Sequence, residues 1–375
     1  MEGPYEELRR RAADLATREL EPRAATYDRE AAFPRESIKR LADEGFFGLM
    51  LPPEYGGMGQ GLLAYAVVME EIARACASSA LIWGVHCALV SGSILAWGSE
   101  EQKRRFLPAL GRGEMLGAFC LTEPGAGSDA GAVKTSARRD AAGYVLDGEK
   151  MFVTSGGVAD LYLVVASTDP AQGSRGLTAF LVERDRPGIS FGPPLEKMGL
   201  RASVTSAVYL RGCRVPEENR LGREGEGFRI ALSALDRGRV GIAAQAIGIA
   251  RAAFERARDY ARRREQFGQP IASFQAIQWK LVDMATDIDA ARLLCHRAAT
   301  LADRGERFTM EAAQAKLFAT RMAMRCCEEA VQIHGGYGYL RDYTVERLMR
   351  DVKVTEIYEG TSEIMRVVIA SHLLR

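Results

Sequence analysis

The chain has 375 residues, 47% of them hydrophobic, and its 50 basic and 49 acidic side chains leave a formal charge of +1. This length is sufficient for two or three domains that each enclose a hydrophobic core. Nucleic acids and anionic membrane surfaces attract proteins with a large basic excess. The balanced charge therefore argues against both as partners, and the basic runs Arg9–Arg11 and Arg262–Arg264 are first interpreted as solvated helix faces.

The N-terminus and the apolar stretches give no sign of export or membrane insertion. Charged residues recur throughout the first 20 positions and leave no apolar core for a signal peptide. The apolar stretches look short and interrupted, below the ~20 residues of a membrane helix. The seven cysteines are scattered, odd in number and without a CxxC pair. We therefore expect a cytoplasmic protein with reduced cysteines and no membrane partner.

Residues 1–118 are predicted to form an N-terminal helical domain. Their apolar residues are spaced for helices, and Pro34 and Pro52–Pro53 separate the segments. The predicted helical segments are Glu6–Arg18, Ser37–Ala42, Leu63–Cys76 and Ala80–Leu95.

Residues 119–224 have a different texture and are predicted to form a middle β domain. Short segments, several of them β-branched or aromatic, alternate with glycine and proline, which is typical of a compact all-β unit. The predicted strands are Tyr144–Leu146, Met151–Thr154, Leu161–Ser167, Leu177–Val182 and Ser206–Leu210.

Residues 225–375 return to helical spacing, which predicts a C-terminal helical bundle. Apolar positions three and four residues apart run from Ile277 to Leu301 and again, with smaller side chains, from Ala313 to Val331. Pro270 and Gly305 mark the breaks.

The sequence lacks the motifs of several common kinds of active site. The four histidines have no metal-ligand spacing, so no metal site is expected. No serine lies in a GxSxG motif. A dinucleotide fingerprint at Gly59–Ala64 follows prolines rather than an apolar strand, so we reject it.

Two segments at the start of the β domain offer groups that bind a cofactor. In Phe119–Asp129, Gly125 and Gly127 leave backbone N–H groups accessible, and Thr122 and Ser128 add hydroxyls. Such a turn can hold phosphate or the polar edge of a ring, although many glycine-rich turns are only loops. The segment Gly148–Ser155 then presents an aromatic ring and a hydroxyl together.

Four further segments lie in the C-terminal third: Leu235–Arg239, Arg264–Gly268, Gln332–Gly338 and Ile357–Ile364. Thr361 or Ser362 is a suitable N-cap for the last helix, which leaves Glu359 on a turn. Asp236 and Arg239 are also spaced for a simple intrahelical ion pair.

Together and in this order, these segments resemble the acyl-CoA dehydrogenase family, from Leu51–Gly57 to beyond Arg366. The resemblance implies a mainly α fold with a central β-barrel: an N-terminal helical domain (1–118), a middle β domain (119–224) and a C-terminal four-helix bundle (225–375). It implies FAD as cofactor, an acyl-CoA substrate of fatty-acid β-oxidation, an electron-transferring flavoprotein as partner, and a homotetramer built as a dimer of dimers.

The resemblance also assigns roles to individual residues. Gln332–Gly336 would reach FAD across a subunit interface, and Arg264 would bind its pyrophosphate, which removes that arginine from the solvated faces. The positions that match FAD contacts are Phe119, Leu121, Thr122, Gly127, Ser128, Phe152, Val153, Thr154, Arg264, Phe267, Gln275, Gln332, Ile333, Gly335, Gly336, Thr361, Ser362 and Glu363. The positions that match substrate contacts are Ser128, Asp236, Arg239, Tyr358 and Gly360.

Glu359 matches the catalytic base. Removal of the weakly acidic α-proton of a thioester requires a base in a dry site, and burial raises the pKa of a carboxyl into the useful range. Some family members carry the base one residue before the arginine of the Leu235–Arg239 segment. That position is Gly238 here, so Glu359 is the carboxylate that remains.

Two residues depart from the commoner family pattern: Phe152 replaces Trp and Ser155 replaces Asn. The electron acceptor is therefore less firmly predicted than FAD itself. A short or branched acyl chain is expected, because Leu235–Arg239 and Ile357–Ile364 resemble short-chain members. The alternatives are an acyl-CoA oxidase, a flavin monooxygenase, a cyclic acyl-CoA dehydrogenase, or a nucleic-acid-binding flavoprotein, which a gel-shift with salt titration would reveal.

Overall fold

The structure is a computed structural model, and it describes residues 5–374. The N-terminal part is helical, as predicted from its apolar spacing. Its α-helices are α1 (Glu6–Leu15), α2 (Glu21–Glu30), α3 (Arg35–Asp43), α4 (Leu62–Ala75), α5 (Ala77–Gly84), α6 (Gly92–Trp97) and α7 (Glu100–Gly111). Two π-helical turns, Ala16–Leu20 and Val85–Ser91, join α1 to α2 and α5 to α6.

The expectation that every apolar stretch is short was wrong for one segment. Ala77–Trp97 runs as 21 residues of nearly continuous helix with no charged side chain, and its length and hydropathy would allow it to cross a membrane. However, 83% of its most apolar window is buried inside the protein. The segment therefore has the character of a core helix, which must be apolar on all sides.

The middle part consists of eight strands in one sheet. The strands are β1 (Gly117–Cys120), β2 (Ser136–Asp140), β3 (Gly143–Thr154), β4 (Leu161–Ser167), β5 (Leu177–Glu183), β6 (Ile189–Phe191), β7 (Thr205–Pro216) and β8 (Arg220–Leu221). Their order is β6-β7-β3-β2-β4-β5-β8, with β1 added in parallel to β4. No pairing among the described residues joins β6 to β8, so the sheet has two ends.

One boundary within this sheet differs from the prediction. Tyr144–Leu146 and Met151–Thr154 were expected as separate strands, because Asp147 and Gly148 resemble a turn. Both belong to β3, and register shifts against β7 occur between Leu146 and Gly148 and between Lys150 and Val153. The turn-like residues therefore occupy a β-bulge, where an irregular backbone is tolerated within a strand.

The C-terminal part is again helical. It contains α8 (Gly227–Arg263), the short hairpin of β9 (Glu265–Gln266) and β10 (Gln269–Pro270), α9 (Gln275–Asp303), α10 (Thr309–His334), α11 (Thr344–Val352) and α12 (Ser362–Leu373). The apolar face predicted from Ile277 to Leu301 is confirmed in the central part of α9. The buried residues there are Met284, Ile288, Ala291, Cys295 and Ala298.

Polar contacts join the three parts. Asp303 at the end of α9 accepts hydrogen bonds from the backbone N–H groups of Leu62 and Leu63 (2.5 and 3.0 Å) and so satisfies the first turn of α4. Arg350 on α11 pairs with Asp28 of α2 at 2.8 Å and donates to the carbonyl of Met198 from the middle part. These contacts join the helices of the N- and C-terminal parts to each other and to the loop between β6 and β7 of the middle part.

Candidate active site

Glu359 lies on a turn between α11 and α12, as predicted. A 3₁₀ turn over Lys353–Glu356 follows α11, and Thr361 caps α12 by accepting a hydrogen bond from the N–H of Ile364 at 3.3 Å. Glu359 has a φ of 52°, in the left-handed region. A non-glycine residue rarely adopts this conformation, because its Cβ crowds the backbone.

The carboxylate of Glu359 points into the protein. Its Oε2 atom is buried and has no hydrogen-bond partner among the described residues. It lies against the backbone of Gly238 on α8, where an added Cβ would overlap Oε2 and would come within 2.8 Å of Leu89 Cδ2. Burial raises the pKa of Glu359 to about 7, although the nearby charges of Lys316 and Arg239 oppose the increase. Such a carboxyl can accept a proton near neutral pH.

Lys316 on α10 is fully buried beside this turn. Its Nζ donates a hydrogen bond of 2.6 Å to the carbonyl oxygen of Gly360, the residue after Glu359. Burial lowers the pKa of Lys316 to about 8, and the charge of Glu359 opposes the decrease. The lysine thus fixes the turn and supplies a positive charge close to the carboxylate.

The residue before Glu359 is also fixed. The hydroxyl of Tyr358 donates to Gln245 Oε1 on α8 at 2.5 Å, and Gln245 Nε2 donates to the carbonyl of Ala77 at 2.9 Å. Among residues 5–374, the backbone N–H of Glu359 forms no hydrogen bond. A rigid turn with a free N–H next to a carboxylate can place a donor on a carbonyl oxygen while the carboxylate takes a neighbouring proton.

The predicted cofactor segments of the β part lie side by side. The N–H of Met151 donates to the carbonyl of Thr122 at 2.9 Å, which joins β3 to the loop after β1. Beneath that loop, buried Lys150 donates to the carbonyl of Leu121 (3.1 Å) and to Glu123 Oε1 (2.8 Å). Glu123 also accepts from the N–H groups of Lys134 and Thr135 at 2.7 and 2.9 Å. The loop is therefore held from below by a buried ion pair.

Phe152 near the end of β3 and Ser155 just after it both have positive φ values, 56° and 63°. The ring of Phe152 is 64% exposed, whereas Val153 and Ser155 are buried. Phe119 and Thr154 are partly buried. An added Cβ at Gly125 or Gly127 would meet no atom within 4 Å, so the loop is open on this side.

The predicted FAD-binding residues of the helical part form a second group. Arg264, Ile333, Gly335 and Gly336 line one cleft of about 420 Å³ together with Tyr337. The guanidinium of Arg264 lies 5.5 Å from the centre of the Tyr337 ring. Phe267, Gln275 and Gln332 are exposed around this part of the surface.

The remaining residues that were predicted to contact FAD or substrate differ in burial and in hydrogen bonding. Ser362 is buried with an unpartnered Oγ, and Glu363 is exposed. Arg239 donates to Asp236 Oδ1 at 2.8 Å, so the intrahelical pair considered from the sequence is present. Asp236 also accepts from Thr309 at 2.8 Å, and Ser128 is exposed.

Three parts of the chain match descriptions of a single family. Residues 4–114 match the N-terminal domain, residues 118–213 the middle domain and residues 225–374 the C-terminal domain of acyl-CoA dehydrogenases. The chain belongs to the acyl-CoA dehydrogenase family. Its members are FAD flavoproteins and oxidoreductases, so FAD is the cofactor and the chain is an enzyme.

Curated relatives of this acyl-CoA dehydrogenase family member cover it almost completely. An acyl-CoA dehydrogenase of Bacillus subtilis (strain 168) is 47% identical over 98% of this chain and 97% of its own length. A 3-(aryl)acrylate reductase of Clostridium sporogenes is 47% identical (99% and 98%), and a short-chain specific acyl-CoA dehydrogenase of Clostridium acetobutylicum is 44% identical (98% and 97%).

Solved structures share the fold. Butyryl-CoA dehydrogenase from Megasphaera elsdenii superposes with a TM-score of 0.97 at 43% identity, over 98% of this chain and 97% of that chain. A chain from work on the electron transferring flavoprotein of Acidaminococcus fermentans superposes with a TM-score of 0.99 at 43% identity, over 100% and 99%. The expected helical, β and helical organisation is thus confirmed.

The residues present fit FAD. The loop after β1 combines open glycines, a threonine hydroxyl and a neighbouring exposed aromatic ring, which suits a flat polar ring system. The second cleft combines Arg264 with two glycines at which an added Cβ would meet nothing within 4 Å, so backbone and guanidinium can approach a pyrophosphate. No group of three or more metal-ligand side chains occurs within residues 5–374.

Several residues of the site were missed from the sequence. Lys316 could have been noticed, since it interrupts a run of small buried side chains on α10. Lys150 and Glu123 lie in the motifs that we singled out, but their pairing depends on how β3 meets the loop. Gln245 carries no local signal, because its role follows from Tyr358 lying opposite.

Proposed function

We propose that this enzyme removes hydrogen from the α- and β-carbons of a short or branched acyl-CoA to give the trans-2-enoyl-CoA, with Glu359 as the base. The buried, unpartnered Oε2 of Glu359 carries the proposal. A buried carboxylate oxygen without a donor is unfavourable, and such an atom is a candidate for a chemical role. Its pKa of about 7 matches that of a general base at neutral pH.

The residues around Glu359 would each contribute to proton removal. As the α-proton leaves, negative charge develops on the thioester oxygen, and the free N–H of Glu359 can stabilise it. The hydrogen bond from Lys316 to Gly360 keeps that N–H and the carboxylate on one rigid turn. FAD, when bound, supplies the acceptor for the hydride that leaves the β-carbon.

We propose the two groups of FAD residues as parts of one extended site. Phe119–Ser128 and Phe152–Thr154 would hold the ring system, with Thr361, Ser362 and Glu363 close to it. Arg264, Phe267, Gln275 and the stretch Gln332–Gly336 would hold the pyrophosphate and adenosine, with Gln332–Gly336 donated by a second subunit. Ser128, Asp236, Arg239, Tyr358 and Gly360 would contact the substrate.

We infer a homotetramer assembled through the C-terminal helices. Apolar side chains on α9 and α12 are exposed in the single chain: Trp279 is 62%, Leu293 71% and Val367 62% exposed. A cleft of about 880 Å³ between α9, α10 and α12 has a mainly apolar lining that includes Leu317 and Phe318. Large exposed apolar surface of this kind supports assembly. Size-exclusion chromatography with light scattering tests it.

We also propose the finer points of the fold and the setting of the enzyme. The middle sheet would wrap into a barrel, and the domain boundaries would lie at residues 118 and 224. The cytoplasm remains the proposed location; the seven cysteines are all buried and free, which suits a reducing compartment.

Electrons are proposed to pass to an electron-transferring flavoprotein, as the match to a chain from work on such a flavoprotein supports. A second candidate is the same chemistry in the reverse direction, since one relative of 47% identity is named a reductase. Glu359 would then return the proton that it removes in the forward reaction. Oxidation of a reduced flavoprotein partner with enoyl-CoA, compared with reduction of the oxidised partner with acyl-CoA, distinguishes the two directions.

The experiment that tests the proposed function is an anaerobic titration of the purified flavoprotein with acyl-CoAs of increasing length. We expect short-chain acyl-CoA to bleach the flavin absorbance. Bleaching that fails with every CoA thioester, although flavin is bound, would contradict the proposal. In air, peroxide production would favour the oxidase alternative.

A further inference from the structure

Tyr65 on α4 is a rigid, buried tyrosine close to the proposed catalytic carboxylate. Its side chain is only 1% exposed, and its ring stacks on Trp83 with a centroid distance of 4.9 Å and an interplanar angle of 26°. Trp83 is itself anchored, since its Nε1 donates to the carbonyl of Phe46 at 3.1 Å. The stacked pair leaves the Tyr65 ring little freedom to rotate.

The hydroxyl of Tyr65 fits between two glycines on facing helices. An added Cβ at Gly84 of α5 would lie 3.1 Å from the hydroxyl oxygen, and one at Gly241 of α8 would lie 2.5 Å from it. Met69 fills the other side of Gly84, at 2.7 Å from the same added Cβ. Within residues 5–374 this hydroxyl forms no hydrogen bond and is not one of the fully buried atoms that lack a partner, so its oxygen borders open space.

Gly241 is also one helical turn from Gly238, which contacts the carboxylate of Glu359. Positions three residues apart on a helix are about 5–6 Å apart on the same face. The carboxylate of Glu359 and the hydroxyl of Tyr65 therefore contact successive positions, Gly238 and Gly241, on one face of α8.

The order of these places gives the direction in which an acyl chain would run. Asp236, a proposed substrate contact, precedes Gly238, and α8 begins at Gly227 against Thr178 of the sheet. Gly241 lies on the other side of Gly238, among fully buried residues such as Val240. A chain that enters from the sheet side and passes the carboxylate would next meet Tyr65.

We propose that Tyr65 closes the end of the acyl pocket and restricts this enzyme to short acyl chains. The inference rests on the proposed function. A longer chain would have to displace a hydroxyl that is enclosed by the backbones of two helices and by a stacked tryptophan. Such a rigid stop rejects extra methylene groups, and one unaccommodated methylene lowers kcat/KM by about 10- to 200-fold.

The test measures kcat/KM for butyryl-, hexanoyl- and octanoyl-CoA with two variants. Tyr65→Ala should raise the octanoyl-to-butyryl ratio by at least about tenfold. Tyr65→Phe keeps the ring and its stacking and removes one atom, so the hexanoyl-to-butyryl ratio should rise by about fourfold, the value of one buried methylene. Tyr162→Phe is the matched control. Tyr162 is equally buried, and its hydroxyl accepts a hydrogen bond from the N–H of Gly157, just after β3.

The outcomes separate the two proposals. A wild-type flavoprotein that no acyl-CoA reduces would contradict the proposed function. The role of Tyr65 would be overturned if the wild type is active and both Tyr65 variants, at normal flavin content, keep its chain-length ratios. If Tyr65→Ala does not fold, Tyr65→Phe decides alone, and a ratio that changes equally in Tyr162→Phe counts against the inference.

Discussion

Two glutamates whose carboxylates point into the protein have opposite environments. Glu123 accepts hydrogen bonds from Lys150 and from the N–H groups of Lys134 and Thr135. Burial alone would raise the pKa of Glu123. The charge of Lys150 and these hydrogen bonds outweigh burial and hold that pKa below its usual value. Glu359 has an unpartnered Oε2 and a pKa of about 7. The number of donors, rather than burial alone, separates the carboxylate that holds the fold together from the one that is free to take a proton.

The largest effect is expected from Glu359→Gln, which removes the proposed base and keeps the shape of the side chain. Turnover should fall by at least about 10²-fold, while flavin remains bound. Because burial raises the pKa of Glu359 from 4.5 to about 7 in the folded state, the wild type loses stability as pH rises from about 4.5 to about 7, and the variant should not. Steady-state turnover, and melting temperatures at about pH 5 and pH 8, check both points; near-normal turnover would refute the assignment.

The opposite experiment on the structural glutamate is Lys150→Met. It leaves Glu123 buried without its cation, so the protein should lose about 3–5 kcal/mol of stability and retain less flavin, because the loop after β1 is no longer held. Thermal denaturation and the flavin-to-protein ratio are the measurements. Adding Glu123→Gln should restore part of the loss, whereas Lys280→Met, which breaks the half-buried pair with Glu329, should cost under about 1 kcal/mol.

Gly238→Ala sharpens the comparison by moving the free carboxylate without removing it. The new Cβ would overlap Oε2 of Glu359, so the carboxylate must shift, and a misplacement of about 1 Å can lower turnover by roughly 10²-fold. Alanine is otherwise favourable inside a helix. Turnover should therefore fall while thermal stability is largely kept. Gly192→Ala is the control, because its backbone is not left-handed and the new Cβ would meet other atoms only at 3.4 Å or more.

The smallest effect is expected from Lys316→Met, which removes the positive charge beside Glu359. That charge lowers the pKa of Glu359, so its loss should raise the pKa above about 7 and shift the rise of kcat/KM to higher pH. Activity at pH 7 should fall by up to about tenfold and recover toward pH 9. Arg239 still faces the carboxylate, and Glu356 faces the lysine site. A uniform loss at all pH values would indicate a purely structural role, and Lys316→Arg should retain the wild-type profile more closely.

Much of this arrangement could be predicted from local sequence. The positions of most helices and strands follow from their apolar spacing, and Thr361 as N-cap places Glu359 on a turn. The bulged β3 could not be predicted, because Asp147 and Gly148 look like a turn until β7 lies alongside. One reason explains why the sequence did not predict the roles of Lys316, Gln245 and Tyr65. Each contacts a residue far away in the chain, so its role depends on which helix faces meet.

The left-handed backbone of Glu359 has a consequence for how this sequence can change over time. A side chain in that conformation costs about 1–2 kcal/mol, which glycine would avoid. Glu359→Gly should therefore melt at a higher temperature than the wild type, although it lacks the proposed base. Stability alone would favour glycine at this site, so the glutamate is kept at the expense of stability only where its carboxylate is used.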